Sequence, residues 1–171
     1  VTAGGRVPVL IVESVNPAPD ASLYLVRALG VAAAPGFDTR VTRADRVRPE
    51  EVAAAAVIVL NDTRVPSGAA GRALASAVDA GAGLFVLVGE RSDWSSDDPD
   101  LLPGRLGAVV DRSGTSGGTL GSIDFSHPVF EIFGVPRSGD LTAARMFRYR
   151  SLTGAAQVLG HKLSPNFRRP F

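Results

Sequence analysis

The chain contains no cysteine, a single lysine and only two histidines in 171 residues. Without a thiol there is no disulfide, no thiolate metal site and no cysteine nucleophile, whatever the fold. Seventeen of the eighteen basic residues are arginine and only Lys162 is lysine, which, with so much Ala, Gly and Val, reads as the codon bias of a GC-rich genome. No stretch approaches the ~18 consecutive apolar residues of a membrane span, and residues 1–12 lack the charged-then-apolar order of a signal peptide. Charge of one sign is missing too. Eighteen basic against 17 acidic residues leave a net charge of +1 with no block of like charge, so nucleic acid has no electrostatic footprint here. Phosphate-cradling glycine loops are also absent: the turn after the first apolar run reads ESVNPAP, neither G-x-G-x-x-G nor G-x-x-x-x-G-K-[ST]. The lack of cysteine fits an exported domain and a bacterial cytosolic one equally well.

What is present is enough for a core. At 45% hydrophobic and 20% charged, the chain is too apolar for wholesale disorder, and its length matches about one domain. Short runs of Val, Ile and Leu alternate with Ala-rich helical segments, the pattern of a parallel sheet covered by helices. Residues 7–12 (VPVLIV) are apolar without alternation, as suits a strand buried on both faces. After a proline-rich loop, Asp20 reads as the N-cap of a helix to about Leu29, with Leu25, Val26 and Leu29 on one face. A polar strand at 37–42 precedes a short helix opening on Arg48-Pro49-Glu50-Glu51-Val52, where Pro and acids suit a first turn. Residues 56–60 (AVIVL) form a third strand. Ser67 then caps a helix that carries Ala70, Leu74, Ala77 and Val78 inward and stops at Gly81, before a fourth strand at 84–88.

Beyond Arg91 the texture turns polar, with the only Trp, Trp94, in the loop. Residues 106–112 and 119–124 read as two strands of an antiparallel hairpin at the sheet edge. The segments 147–152 and 156–159 offer further strands. The sequence thus predicts an α/β fold, a flavodoxin-like three-layer sandwich with a mostly parallel sheet, helices on both faces and an antiparallel edge hairpin. Residues 1–160 make one domain, and 161–171 (HKLSPNFRRPF) read as a tail, either a disordered extension or vector-derived sequence.

Two motifs invite a chemical reading. Gly114-Thr115-Ser116-Gly117-Gly118 matches G-x-S-x-G, but the nucleophile elbow needs a strand running sharply into a helix, and TLGSIDF follows instead. A hairpin turn is the expectation there. A triad would also need a base, and His127, before Pro128, reads as a loop residue that helps place Phe130 and Phe133. The second motif is a set of strand ends. Glu13, Asp62 and Glu90 each follow a parallel strand, with Asn61 and Arg91 beside them, so all could line the crevice where such sheets bind ligands. Three carboxylates there suit a divalent ion, or they cap helices and face solvent. A phosphoacceptor site lacks its lysine, since Lys162 lies in the tail.

The segments Leu23-Tyr24-Leu25-Val26-Arg27-Ala28-Leu29, Val57-Ile58-Val59-Leu60-Asn61-Asp62, residues 80–89 (AGAGLFVLVG), 123–130 (IDFSHPVF) and 147–152 (FRYRSL) carry a resemblance. Over residues 7–159 the chain resembles the class I glutamine amidotransferase-like domain of bacterial membrane proteins related to BatA, the aerotolerance-type proteins. In such proteins the domain follows transmembrane segments and sits outside the cytoplasm, so the resemblance implies an excised piece of an envelope protein. A working amidotransferase carries its Cys in the turn after the strand that is 84–88 here, and this chain offers Val88-Gly89-Glu90-Arg91.

Two functional expectations follow. The first is a non-catalytic domain, without cofactor or metal, whose partners are other domains of the same membrane protein or envelope proteins. The second is a small-molecule binder or hydrolase-like enzyme using Glu13, Asn61, Asp62, Glu90, Arg91 and His127. Convergence of these side chains on one pocket would favour the second; pairing among themselves on an open surface would favour the first.

Overall fold

The computed structural model describes residues 5–31, 36–94, 101, 105–120, 123–126, 130, 133 and 143–153. Nine elements follow one another: β1 (Val7–Glu13), α1 (Leu23–Val31), β2 (Phe37–Arg43), α2 (Pro49–Ala54), β3 (Val57–Asn61), α3 (Gly68–Asp79), β4 (Gly83–Leu87), β5 (Arg105–Asp111) and β6 (Arg148–Thr153). The described residues fall into two compact units, one built from the first 106 residues and those after Ser151, the other from residues 107–151.

The first unit is the doubly wound sheet. Its strands are all parallel, in the order β2-β1-β3-β4, with Glu13 in register with Arg43 on one side and Asn61 on the other. The chain moves outward from β1 to β2, then crosses back to β3 and on to β4. Crossovers of constant hand then require α1 on one face and α2 with α3 on the other. Side chains sort that way. Leu10, Val12, Ile58 and Leu60 pack with Val52 of α2 and with Ala70 and Leu74 of α3, whereas Val9, Ile11 and Val59 pack with Leu25, Val26 and Leu29 of α1. Residues 9–12 are at most 3% exposed, which explains the unalternating sequence of β1. Each such side chain contributes about 1.5–3 kcal/mol by burial.

Helix ends follow local chemistry. At the start of α2, Glu51 reaches back so that its carboxylate accepts the Arg48 backbone N–H at 3.0 Å, the acid half of a capping box, while Pro49 fills a first-turn position that needs no N–H partner. Ser67 does occupy the N-cap of α3, although its hydroxyl makes no capping bond. Gly81, at φ 103°, takes the left-handed turn that ends α3 and leads into β4. Asp20 differs from its expected role: it sits at φ 57° in the turn before α1, and Ser22 is the residue whose carbonyl receives the first helical bond, from Val26. An aspartate tolerates the left-handed turn by which the proline-rich loop enters α1.

The second sheet contains β5 and β6, an antiparallel pair. The expected partner of β5, residues 119–124, is not a strand where it is described. The chain makes a turn at residues 113–116 and returns to the ladder at Gly118, which bridges Met146. Cross-strand links fix that pairing: Arg112 N–H donates to the Phe147 carbonyl at 2.7 Å, Arg148 pairs with Asp111 at 2.9 Å, and Arg150 donates to the Gly107 carbonyl. Alternation marks a segment as strand without saying which distant strand it joins. Residues 156–159 lie outside those described.

Candidate functional site

In an open sheet of this order, β1 and β3 are the neighbours from which the chain departs in opposite directions, and ligands bind outside their C-terminal ends. Glu13 and Asn61 stand there side by side. Both project to the α1 face, since they continue the Val9-Ile11 and Val59 rows. The Asn61 amide donates to the Ala21 carbonyl at 3.1 Å and to the Ser22 hydroxyl at 3.0 Å, so it anchors the start of α1 to the sheet. Ser22 is buried and belongs to this anchor. The side chain of Glu13 is half-buried and forms no hydrogen bond or ion pair among the described residues; its neighbour Arg43 pairs with Asp45 instead.

Asp62 follows at φ 45°, a left-handed conformation that aspartate bears better than most residues. Its backbone N–H donates to the Leu87 carbonyl. Its carboxylate accepts the backbone N–H of Arg91 at 2.7 Å and the Arg91 guanidinium at 3.0 Å. Gly89 lies directly against that carboxylate, and any Cβ there would collide with it. The buried Ser92 hydroxyl accepts the Gly89 N–H at 3.0 Å and closes the turn. Two further links tie the same loops together: Trp94 donates its indole N–H to the Thr63 carbonyl at 3.1 Å, and Arg64 pairs with Asp93 at 2.7 Å.

The six sequence candidates therefore divide. Glu13 and Asn61 meet at one strand pair, Asp62 and Arg91 bind each other, and Glu90 is exposed in the turn after β4. His127 lies outside the described residues. Ser116 stands exposed in the turn after β5, which the chain leaves for the Gly118 bridge and not for a helix, so the elbow geometry is absent. Among the described residues no group of three acids or histidines is arranged to hold a metal ion. Sequence reasoning missed Ser22, Ser92 and the Trp94 indole, because a buried hydroxyl or ring N–H that closes a loop has no local pattern. A groove of about 810 Å³ runs between α2 and α3, but it is lined by residues such as Ala55, Ala56, Gly81 and Ala82, which lead into β3 and β4, and by no candidate side chain.

The same unit shows a second kind of candidate surface. Among the described residues of 5–94 the exposed large hydrophobics are Val15, Tyr24, Val31, Val41, Phe85 and Val88, and none belongs to α2 or α3. Val41 and Phe85 flank the row Val41-Ile11-Val59-Phe85 across the sheet. Its centre is covered by α1, while Phe85 at the other end is 52% exposed. Helix α1 (LYLVRALGV) is apolar almost all round yet has no fully buried residue, and Tyr24 and Val31 are 83% and 84% exposed. A helix apolar on every side is ordinarily an interior one.

Fold and site together define an α/β domain of flavodoxin-like topology whose strand-end turns are closed by internal bonds. Comparison with known protein families, with curated proteins and with solved structures finds no match to the chain. Among the described residues no helix is long and apolar enough to cross a membrane.

Proposed function

We propose that this domain is a non-catalytic interaction module that keeps an amidotransferase-like scaffold within a bacterial envelope protein. The observation that carries the reading is the concentration of exposed apolar side chains on the α1 side, with Tyr24, Val31, Val41 and Phe85 all there. Exposed apolar side chains gathered on one face in this way suit a site of association. Supporting it, the charged groups that could have served chemistry after β3 and β4 are engaged: Asp62 holds Arg91, and Arg64 holds Asp93. The absence of cysteine removes thiol attack on an amide outright. In this reading the domain sits outside the cytoplasm, anchored through neighbouring segments, and contacts other domains of its own chain or other envelope proteins.

The test is site-specific photo-crosslinking in the host that makes the protein, with a benzophenone residue at Tyr24, Val31 or Phe85 and controls at Arg72 and Glu50 on the opposite face. Protein adducts at the first three positions and not at the controls are expected. Equal yields at all five, or none, would overturn the reading.

One observation favours a second reading. Glu13 is a half-buried carboxylate at the β1–β3 junction with no ion pair among the described residues, so it could hold a small cationic ligand. A ligand that raises the melting temperature of the wild-type domain and not of Glu13→Gln would establish that alternative.

A further inference from the structure

The outer face of α1 carries more than apolar surface. Between residues 16 and 31 only two side chains are charged, Asp20 and Arg27, and they have opposite signs. Both are exposed, and neither forms an ion pair or side-chain hydrogen bond among the described residues. Arg27 lies in the second turn of α1 and Asp20 in the turn that leads into the helix, seven residues earlier, with the exposed Tyr24 between them in the chain. Leu23 N–H donates to the Asp20 carbonyl at 2.9 Å, so Asp20 is held directly against the first turn of the helix.

This arrangement is complementary to itself. We propose that α1 docks against α1 of a second copy of this chain, antiparallel about a two-fold axis passing near Leu23 and Tyr24; the proposal rests on the α1 side being the interaction face. In such a pair Arg27 of each copy meets Asp20 of the other, giving two equivalent ion pairs, while the two Tyr24 rings meet at the axis. An isologous contact requires this reciprocity, in which residue i touches j and j touches i. A parallel arrangement would instead set Arg27 against Arg27 and Asp20 against Asp20. Ala28, beside Arg27 on the helix, gives the long side chain room to cross. The helix is only about 13 Å long, so the contact belongs to the small, reversible class of interfaces.

Sedimentation velocity of the purified chain tests this over a hundredfold range of concentration reaching about 1 mM, enough to populate even a millimolar association. Wild type is expected to dimerise. Arg27→Asp and Asp20→Arg should each weaken the dimer by about tenfold, two exposed pairs being lost. An equimolar mixture of the two variants should recover wild-type association, because each then supplies the charge that the other lacks. Tyr24→Glu, at an exposed helical position, should abolish the dimer without disturbing the fold, and it carries the test if Asp20→Arg does not fold at its left-handed backbone position. A wild type that stays monomeric at 1 mM, or a mixture no tighter than the single variants, overturns the proposal. If photo-crosslinks at Tyr24 and Phe85 still capture a different protein in that event, the interaction face stands with another occupant; if they too are missing, both readings fall.

Discussion

The carboxylate of Asp62 accepts both the backbone N–H and the guanidinium of Arg91, at 2.7 and 3.0 Å, and so ties the turn after β4 to the turn after β3. The backbone bond is the more valuable half, because it satisfies an N–H that the tight turn leaves without a ladder partner. Asp62→Ala should therefore cost about 1–3 kcal/mol, combining the lost bonds with left-handed strain at alanine. Arg91→Ala keeps the backbone bond and loses only an exposed ion pair, so its cost should stay below about 1 kcal/mol. Urea denaturation of the two variants measures the ratio, and equal losses would contradict it.

Gly89 and Asp62 should behave as one unit. A methyl at position 89 collides with the Asp62 side chain, so Gly89→Ala should cost about 1–3 kcal/mol in the wild-type background. In an Asp62→Gly background the obstacle is gone and the left-handed backbone is relaxed. A double-mutant cycle should then give a coupling of at least about 0.5 kcal/mol, and strict additivity would mean that the two turns do not touch.

Asn61 offers an isosteric test. Its amide nitrogen donates to a carbonyl and to a hydroxyl, so Asn61→Asp places an acceptor against the Ala21 carbonyl and should be worse than Asn61→Ala. The reverse order of melting temperatures would show that the anchor to α1 contributes little.

Glu51 governs the acid side of the stability curve. Its carboxyl is held below the ordinary carboxylate range, first by the Arg48 backbone N–H, with the Arg48 side chain and Arg40 adding to the effect against the penalty of burial. Arg40 approaches it at 2.7 Å, and the Glu51 side chain is only 6% exposed. A depressed folded value means that the stabilisation is full above the unfolded pKa near 4.5 and is lost as pH falls through the lower folded value. Urea midpoints measured from pH 6 down to about 3 should therefore fall less steeply in Glu51→Gln than in wild type. Parallel curves would contradict the assignment.

The central strands of the first unit were legible because burial on both faces writes a continuous apolar run, as at β1 and β3; the edge strand β4 keeps such a run although Phe85 is exposed, and Gly81 marked the end of α3. Less legible was everything that depends on partners remote in sequence. Residues 106–112 and 147–152 each read as strand, but the local pattern could not choose between 119–124 and 148–153 as the mate of β5. That choice is made by Asp111 with Arg148 and by Arg112 with the Phe147 carbonyl, partners 35 or more residues apart. The candidate site was half legible: strand-end position was correctly inferred for Glu13, Asn61 and Asp62. The pairing of Asp62 with Arg91 was not, since carboxylate and guanidinium come from turns that the sheet alone brings together.

The two faces of the sheet also differ in what it takes to expose them. Opening the α2 and α3 side unseats Val52, Ala70 and Leu74, which are buried against the middle strands, so that side should yield only when the whole unit unravels. Helix α1 has no buried residue and is moored chiefly by Asn61 and a row of half-covered side chains. Its amides should trade hydrogen for deuterium through brief local detachment, long before those of β1 beneath it. The apolar stripe that a partner would seize thus belongs to the least firmly held helix of the sandwich, and whatever docks there would tighten it.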